Sequence, residues 1–451
     1  MSAQILLNTT ERFANGLSDA KVPEFTTLKL INDIRPESGE LFKTKEKYFK
    51  EDVSVTLSAI SSSGTKLLFP IPKGDAFIGE MFLDVVYTNS TSDVCALWGY
   101  NMIQNIYLQA GGGKLMEMSG EAMAYLQLLQ HTAVEDRIKL VELCGGVGGV
   151  VSSGSICFPI IAPGSKGLIK NITDNQSNPC FPIGLMNTDT SNLYITIRPF
   201  SEFVVTGSGL AITSITLRYK RYAISNDLGI PSTKTGKAII YKICCPYVYE
   251  TEIQTANVSG TIKESVKGAI VPGELQTLIV AKSSVNAFVT NKEFMAGMAL
   301  PYMQLKVGGQ TVYEHNSLKE AELKSYMNYK NTTKIEFQPQ INGSSTTLIT
   351  YTGSKTNTDP ILASDLANLY QKNHNAIFGY YYCVPFSPNY GYDLWNYGSH
   401  GVCVNSEQNI DLTTTISGAE TPRVKVIAIY KSMLIVRSDN TCEHKVDYST
   451  L

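Results

Sequence analysis

The sequence predicts a mainly β protein built from two tandem β-domains, and three observations support this prediction. At roughly 100 to 200 residues per domain, a length of 451 residues fits two domains better than one. Short segments rich in β-branched and aromatic residues recur along most of the chain, whereas helical spacing is found in only three places. Four short motifs of the first half also recur, in the same order, in the second half.

Five segments show the strand pattern most clearly. Their apolar residues either alternate with polar ones or form short continuous runs, as expected for half-buried and fully buried strands. We predict strands that begin near Val53, Phe77, Leu193, Ile212 and Val424.

Helical spacing is confined to residues 115–143, 317–327 and 361–373. No heptad pattern persists over three or four turns, which excludes a coiled coil or a helical repeat. We therefore predict a few short helices inserted between strands.

The internal repeat carries the most weight. Each match is weak alone, since two glycines at a strand end usually indicate only a turn that needs positive φ. Their shared order favours a tandem duplication of one β-domain of about 200 residues. The matching pairs are Leu108–Gly112 with Leu305–Gly309, Ile156–Pro159 with Tyr382–Pro385, Asn192–Thr196 with Asn409–Thr413, and Leu217–Lys220 with Ala428–Lys431.

A boundary is predicted where Gly, Pro, Ser and Thr collect between the two strand-rich halves, at residues 226–237. The first 27 residues show little periodic pattern, so we expect an arm that becomes ordered on neighbouring molecules. The predicted division is an N-terminal arm at 1–27, a first domain at 28–228, a linker at 229–236, a second domain at 237–440 and a C-terminal tail at 441–451.

A β-domain of this size, with short strands and long loops, is typical of a two-sheet sandwich such as the jelly roll. Residues 98–123 (a strand into a double-glycine turn), 404–416 and 424–436 resemble the double jelly-roll major capsid proteins of adenovirus-like and nucleocytoplasmic large DNA viruses. The resemblance implies two tandem eight-stranded jelly-roll β-sandwiches with a few short inserted helices.

The same resemblance implies a function. It would make the chain the major capsid protein of a double-stranded DNA virus, assembling as pseudo-hexagonal homotrimers that tile an icosahedral shell. Its partners would be its own copies, neighbouring capsomers, minor capsid and penton proteins and, through other proteins, an inner viral membrane. Its place would be the virion, assembled inside the host cell. Two alternatives stay open: a viral assembly scaffold of the same fold, and a duplicated β-sandwich enzyme or carbohydrate-binding protein.

Composition argues against several other classes. With 38 basic and 40 acidic residues the formal charge is -2, so no direct binding of nucleic acid is expected. Only 17% of the residues are charged, which leaves a surface of uncharged polar side chains suited to broad protein contacts. No apolar run approaches the ~18 residues needed to span a bilayer, and the start lacks a signal-peptide pattern, so we expect a soluble, unexported chain.

No catalytic, cofactor-binding or metal-binding residues are predicted, and no cofactor is expected. The nine cysteines form no CxxC pair, which favours reduced thiols, and the five histidines form no His-x-His pair. His400 stands three residues before Cys403, but in a strand or loop that spacing assures no contact between a thiol and a base. The glycine-rich stretch at 145–154 lacks the order of a phosphate-binding loop, so we interpret it as a plain loop.

Two segments of the second half are distinctive. Residues 378–401 are dense in tyrosine, which either packs in an interface or stacks on sugars or bases, and we favour packing. Residues 334–353 predict an inserted hairpin that turns at Asn342–Gly343, with Pro339 marking an edge strand. By the resemblance, this hairpin would help to build an outer tower, the alternative being a clamp between subunits.

Overall fold

The computed structural model describes residues 48–58, 60–73, 76–130, 134–146, 149–161, 181, 183–186, 190–224, 239–256, 258–285, 292, 297–298, 300–329, 381–386, 401–437, 439 and 441–446. Antiparallel strands dominate these residues, and the sequence prediction of a mainly β protein is confirmed.

The first half of the chain forms one sandwich. Its described strands are β1 (Tyr48–Ser58), β2 (Thr65–Pro72), β3 (Ala76–Thr88), β4 (Asp93–Val94), β5 (Ile103–Ala110), β6 (Gly113–Met118), β7 (Gly149–Val150), β8 (Gly154–Ile160), β9 (Thr190–Ile197), β10 (Val204–Thr206) and β11 (Ala211–Ile224). They pair as two four-stranded sheets, in the orders β1-β11-β3-β8 and β2-β9-β5-β6, and a small sheet in the order β10-β4-β7.

This strand order is that of a jelly roll. Without the short strands β4, β7 and β10, the eight remaining strands lie in chain order 1-8-3-6 in one sheet and 2-7-4-5 in the other. The first and last strands are neighbours, and successive strands alternate between the sheets except for the fourth and fifth, which pair as a hairpin, as in a jelly roll.

The second half repeats this arrangement. Its described strands are β12 (Ile239–Gln254), β13 (Val258–Ile270), β14 (Gly273–Ser284), β15 (Met303–Val307), β16 (Gln310–His315), β17 (Tyr382–Pro385), β18 (Val402–Val404), β19 (Gln408–Glu420), β20 (Pro422–Arg437) and β21 (Cys442–Lys445). The sheets run β12-β20-β14-β17 and β13-β19-β15-β16, with β18 added to β14 and β21 added to β20. Without these two additions the orders are again 1-8-3-6 and 2-7-4-5.

The internal repeat predicted from the sequence is therefore confirmed, because every matched motif lies on equivalent strands. The two glycine pairs join β5 to β6 and β15 to β16, respectively. Their φ angles agree closely: 54° and 82° at Gly111 and Gly112, 55° and 83° at Gly308 and Gly309. Two successive residues in the left-handed region form the two-residue hairpin turn that fits the twist of antiparallel strands.

The helices correct one prediction. The helical spacing of 115–143 is broken in the structure, since residues up to Met118 pair as strand β6 with β5. This cross-strand pairing overrides the local spacing, and two shorter helices follow. Including one short turn, the described helices are α1 (Trp98–Asn101), α2 (Gly120–Gln130), α3 (Val134–Leu143) and α4 (Leu318–Tyr329), the last of which confirms the prediction for 317–327.

Several predicted features lie outside the described residues: the arm at 1–27, the linker at 229–236, the hairpin at 334–353 and the helix at 361–373. The predicted tail at 441–451 does contain a strand, β21, which pairs with β20 within the second sandwich. Among the described helices, none is both long and apolar enough to cross a membrane.

Candidate functional site: the junction between the sandwiches

The two sandwiches meet at a buried junction, and we name its two sides. Edge 1 is helix α2 with hairpin β5–β6 of the first sandwich. Face 2 is the outer side of strands β12, β20 and β14 of the second. Hydrophobic residues of both form one continuous core cluster with the interior of the first sandwich, among them Ile427, Ile429 and Ile279 from face 2.

Strand β20 is buried on both sides, which explains its nearly continuous apolar sequence. Its inward residues, from Val424 to Tyr430 at every second position, fill the core of the second sandwich. Its outward residues Ile427 and Ile429 are 1% and 0% exposed because edge 1 covers them. At the start of the strand the outward positions are instead charged, at Arg423 and Lys425.

Arg423 is the centre of a buried ion network across the junction. Its guanidinium donates two hydrogen bonds, of 3.1 and 2.8 Å, to the two carboxylate oxygens of Glu121 on helix α2. A third bond, of 2.7 Å, goes to Glu252 on strand β12. The side chains of Arg423 and Glu121 are only 3% and 4% exposed. A planar guanidinium that meets a carboxylate in this way fixes direction as well as distance, so the pair sets the orientation of the helix against the sheet.

Glu250 ties the start of helix α2 to the same sheet. Its carboxylate accepts 2.8 and 2.6 Å bonds from the backbone N–H and the hydroxyl of Ser119, and it lies 2.8 Å from the Lys425 ammonium. The Ser119 hydroxyl also accepts a 3.1 Å bond from the N–H of Ala122, so this serine caps the helix.

Electrostatics keep the network charged despite its burial. Burial lowers the pKa of Arg423, but the attraction and hydrogen bonds of Glu121 and Glu252 outweigh this effect and raise the pKa overall. Burial raises the pKa of Glu250, but Lys425 and Ser119 outweigh it and lower the pKa overall. A buried ion pair adds little net stability, while removing one of its partners is costly.

A second contact joins hairpin β5–β6 to strand β21. The N–H of Cys442 donates a 3.1 Å bond to the carbonyl of Gly111, and a Cβ at Gly113 would lie 2.1 Å from the Cys442 carbonyl oxygen. The N–H of Met116 donates to Nδ1 of His444, whose Nε2 bonds the Ser432 hydroxyl. Burial lowers the pKa of His444 to about 4, so its ring is neutral near pH 7.

The fold, rather than the sequence, relates this chain to known proteins. No known family model matches the sequence, and no curated protein is significantly similar to it. Solved structures do match: the quasi-atomic model of the PBCV-1 virus capsid has a TM-score of 0.59 at 11% identity, over 89% of this chain and 97% of that chain. The chain is a double jelly roll. PBCV-1 VP54 fitted into a reconstruction of the virophage Sputnik matches this fold at TM-score 0.58 and 10% identity, with the same coverage. A cryo-EM structure of the Sputnik virophage matches at 0.52 and 9% identity, over 89% of each chain.

Only one member of the His400–Cys403 pair considered in the sequence belongs to the described residues. Cys403 is exposed on strand β18, and His400 lies outside the described residues. Within the described residues, no cluster of three or more His, Cys, Asp or Glu side chains could hold a metal ion. Cys144, Cys157, Cys403 and Cys442 carry free thiols. Burial raises the pKa of Cys442 to about 12 and that of Cys144 well above its usual range.

The described part of the tyrosine-rich segment is packed inside the double jelly roll. Tyr381 and Tyr382 are each 1% exposed. The ring of Tyr381 meets that of Tyr125 edge to face across the junction, at 5.1 Å between centroids. The ring of Tyr382 stacks on His315 at 5.3 Å, and its hydroxyl accepts a bond from the N–H of Leu300. For these two residues, the packing interpretation is correct.

Sequence reasoning missed the ion network. The available signal was the placement of charge at alternate positions of otherwise apolar strands, at Arg423 and Lys425 and again at Glu250 and Glu252. Charged residues at alternate positions are ordinary on a strand that has one solvent-exposed face. They indicate a buried ion pair only when both faces of the strand are known to be buried.

Proposed function

We propose that this chain is the major capsid protein of a double-stranded DNA virus, and that it assembles as a homotrimer that tiles an icosahedral shell. The carrying observation is the pair of jelly rolls locked together by the buried junction, in a fold shared over 89% of the chain with the PBCV-1 capsid structures. Each chain has two equivalent sandwiches, so a trimer contains six similar sandwiches. A ring of six similar parts suits a hexagonal lattice.

The same proposal fixes location and partners. The protein is a component of the virion, and it contacts its own copies, neighbouring trimers and the minor capsid and penton proteins that close the shell. Its role is structural rather than catalytic, which accords with buried thiols of raised pKa at Cys144 and Cys442. The proposed domain boundaries remain those given by the sequence, with β21 adding to the second sandwich.

Purified mature virions test this proposal. Quantitative mass spectrometry should find this chain as the most abundant protein of the particle, before and after maturation. A chain that is abundant in immature particles and lost from mature ones would instead be the assembly scaffold. A chain absent from both would refute the capsid role.

Sedimentation of the recombinant chain tests the trimer separately. At micromolar concentration, we expect one species of three times the 49.4 kDa chain mass. A stable monomer with affinity for sugars would favour the carbohydrate-binding alternative.

A further inference from the structure

The outer side of the sheet β2-β9-β5-β6 carries a cluster of aromatic and basic side chains that the core does not use. Alternate residues of these strands point inward and fill the first sandwich. Tyr107 on β5 and Tyr194 on β9 point outward and lie directly opposite each other in the strand register. Their rings stack with 4.9 Å between centroids and 18° between planes. We call these two residues, with their neighbours Lys66, Leu68 and Lys114, the tyrosine face.

Two lysine ammonium groups lie over the stacked rings. Nζ of Lys114 is 4.3 Å from the ring centroid of Tyr107. Nζ of Lys66 is 4.7 Å from the centroid of Tyr194 and 5.8 Å from that of Tyr107. Lys114 is also paired with Glu117, whereas Lys66 forms no ion pair within the described part of the chain. An ammonium held over an aromatic ring still has N–H groups free to donate, so Lys66 can take an additional anionic partner.

The free polar groups of the tyrosine face are suited to an anion. Among the described residues, neither the Tyr107 nor the Tyr194 hydroxyl has a hydrogen-bond partner. Each hydroxyl is therefore available to donate. The edge of an aromatic ring is also positive, in contrast to its face. An unpaired ammonium, two available hydroxyls and two ring edges together favour a negatively charged group on the ligand.

The surroundings of the cluster add an apolar contact and two amides. Leu68 pairs with Tyr194 across the strands and is 42% exposed, and Pro70 is exposed two residues further along β2. The next outward pair along β5 and β9 is Gln109 with Asn192. Amides both donate to and accept from hydroxyl groups, while a leucine contacts C–H groups. A ligand with hydroxyls, C–H groups and negative charge fits this combination.

The second sandwich shows that a jelly roll does not need tyrosines at this place. Four residues before the first glycine of each double-glycine turn, the second sandwich has Gln304 where the first has Tyr107. The residue opposite Gln304 on the neighbouring strand is Thr413 rather than a second tyrosine. The equivalent sheet therefore folds with polar side chains at both positions, and the tyrosine pair calls for an explanation outside the fold.

We propose that the tyrosine face binds an acidic carbohydrate, whose sulfate or carboxylate group is held by Lys66 and the two tyrosine hydroxyls. The amides of Gln109 and Asn192 bond the hydroxyls of the sugar, and Leu68 contacts its C–H groups. A nucleic acid is a poorer fit, because each ring already faces the other ring and a lysine, which leaves no free platform for a base. The proposal goes beyond the capsid role and does not depend on it.

Calorimetric titration of the purified chain with oligosaccharides of different charge tests the proposal. The probes are sulfated maltohexaose, hexagalacturonate, which carries carboxylates, and unmodified maltohexaose. We expect at least one charged probe to bind, more weakly as salt is added, and maltohexaose not to bind. Binding of the sulfated probe alone identifies sulfate as the recognised group, binding of hexagalacturonate alone identifies carboxylate, and binding of both shows that either group suffices. A thymidine hexanucleotide tests the nucleic-acid alternative.

Two variants assign the binding to this face. Lys66→Gln removes the unpaired ammonium, and the double variant Tyr107→Phe with Tyr194→Phe removes both hydroxyls but keeps the rings. Each should weaken binding of the charged probe at least about fivefold. A tyrosine pair that only stabilises the sheet predicts no change for the phenylalanine variant, because the rings still stack. The matched control is Lys263→Gln, an exposed lysine on β13, the strand equivalent to β2, and it should bind like the unmodified chain.

Melting temperatures show that the variants are folded. The proposal is overturned if no charged sugar binds at millimolar concentration, or if maltohexaose or the hexanucleotide binds as tightly as the charged sugars. It is also overturned if Lys66→Gln and the phenylalanine variant bind normally, or if Lys263→Gln weakens binding as much as Lys66→Gln. The capsid role is tested separately by the composition of virions, so either proposal can fail while the other stands.

Discussion

Replacing Arg423 with methionine should break the ion network at its centre and destabilise the chain strongly. Arg423 makes three hydrogen bonds to two carboxylates, and the side chain of Glu121 is only 4% exposed. Without its partner, Glu121 is a buried charge whose remaining cation, Lys425, lies 4.0 Å away, so we expect a loss of about 3 kcal/mol, the low end for breaking a buried ion pair. The side chain of Glu252 is 32% exposed, so water can solvate its carboxylate when Arg423 is absent. Glu252 therefore adds little to the loss of stability.

Two further variants make this prediction specific. The double variant Arg423→Met with Glu121→Gln should recover most of the loss, since the only carboxylate left without its arginine, Glu252, is 32% exposed to water. The matched control Arg218→Met breaks the pair with Asp84, but this arginine is 57% exposed and its ion pair is screened by water, so the control should lose far less stability than Arg423→Met.

Urea unfolding followed by circular dichroism measures each loss, and calorimetry shows whether the two sandwiches still unfold together. We expect Arg423→Met to separate the unfolding into two transitions. A loss no larger than that of Arg218→Met, or a double variant as unstable as the single one, would refute the role of the network.

Three other predictions concern buried contacts, two at the junction and one inside the second sandwich. The neutral His444 has a folded pKa of about 4 against about 6.5 unfolded, so the unfolded chain binds the extra proton. Stability should fall by up to about 3 kcal/mol as pH drops from 6.5 to 4, and His444→Gln should flatten this slope in urea titrations at each pH. Lys282, 0% exposed and paired with Glu264, should cost about 3–5 kcal/mol when replaced by methionine, and the double variant Lys282→Met with Glu264→Leu should recover most of it. Gly113→Ala places a Cβ 2.1 Å from a carbonyl oxygen of β21 and should lower stability by about 1–3 kcal/mol, measured by thermal melting. The first prediction is contradicted if His444→Gln leaves the pH dependence of stability unchanged. The second is contradicted if the double variant at Lys282 and Glu264 is as unstable as Lys282→Met alone. The third is contradicted if Gly113→Ala leaves the melting temperature unchanged.

The sequence allowed the duplicated fold to be predicted because local chemistry and repetition agreed. One double glycine begins at Gly111 and another at Gly308, and each predicts the same kind of turn. Both turns join equivalent strands. The order of the other matched motifs then determined which strands correspond. At residues 115–143 the prediction rested on helical spacing alone and was partly wrong. Residues up to Met118 form a strand rather than a helix because they pair with β5.

The junction could not be predicted in the same way. The apolar run of β20 indicates burial on both sides, but it does not indicate that the first sandwich is what covers Ile427 and Ile429. Arg423 and Glu121 are 302 residues apart, so their pairing is visible only in the folded chain.

The most direct test of the capsid account is electron microscopy of the purified chain at micromolar concentration, with averaging of single particles. The account predicts rings of six lobes with threefold symmetry, each pair of lobes belonging to one chain. Averages that show isolated two-lobed particles under these conditions would contradict it.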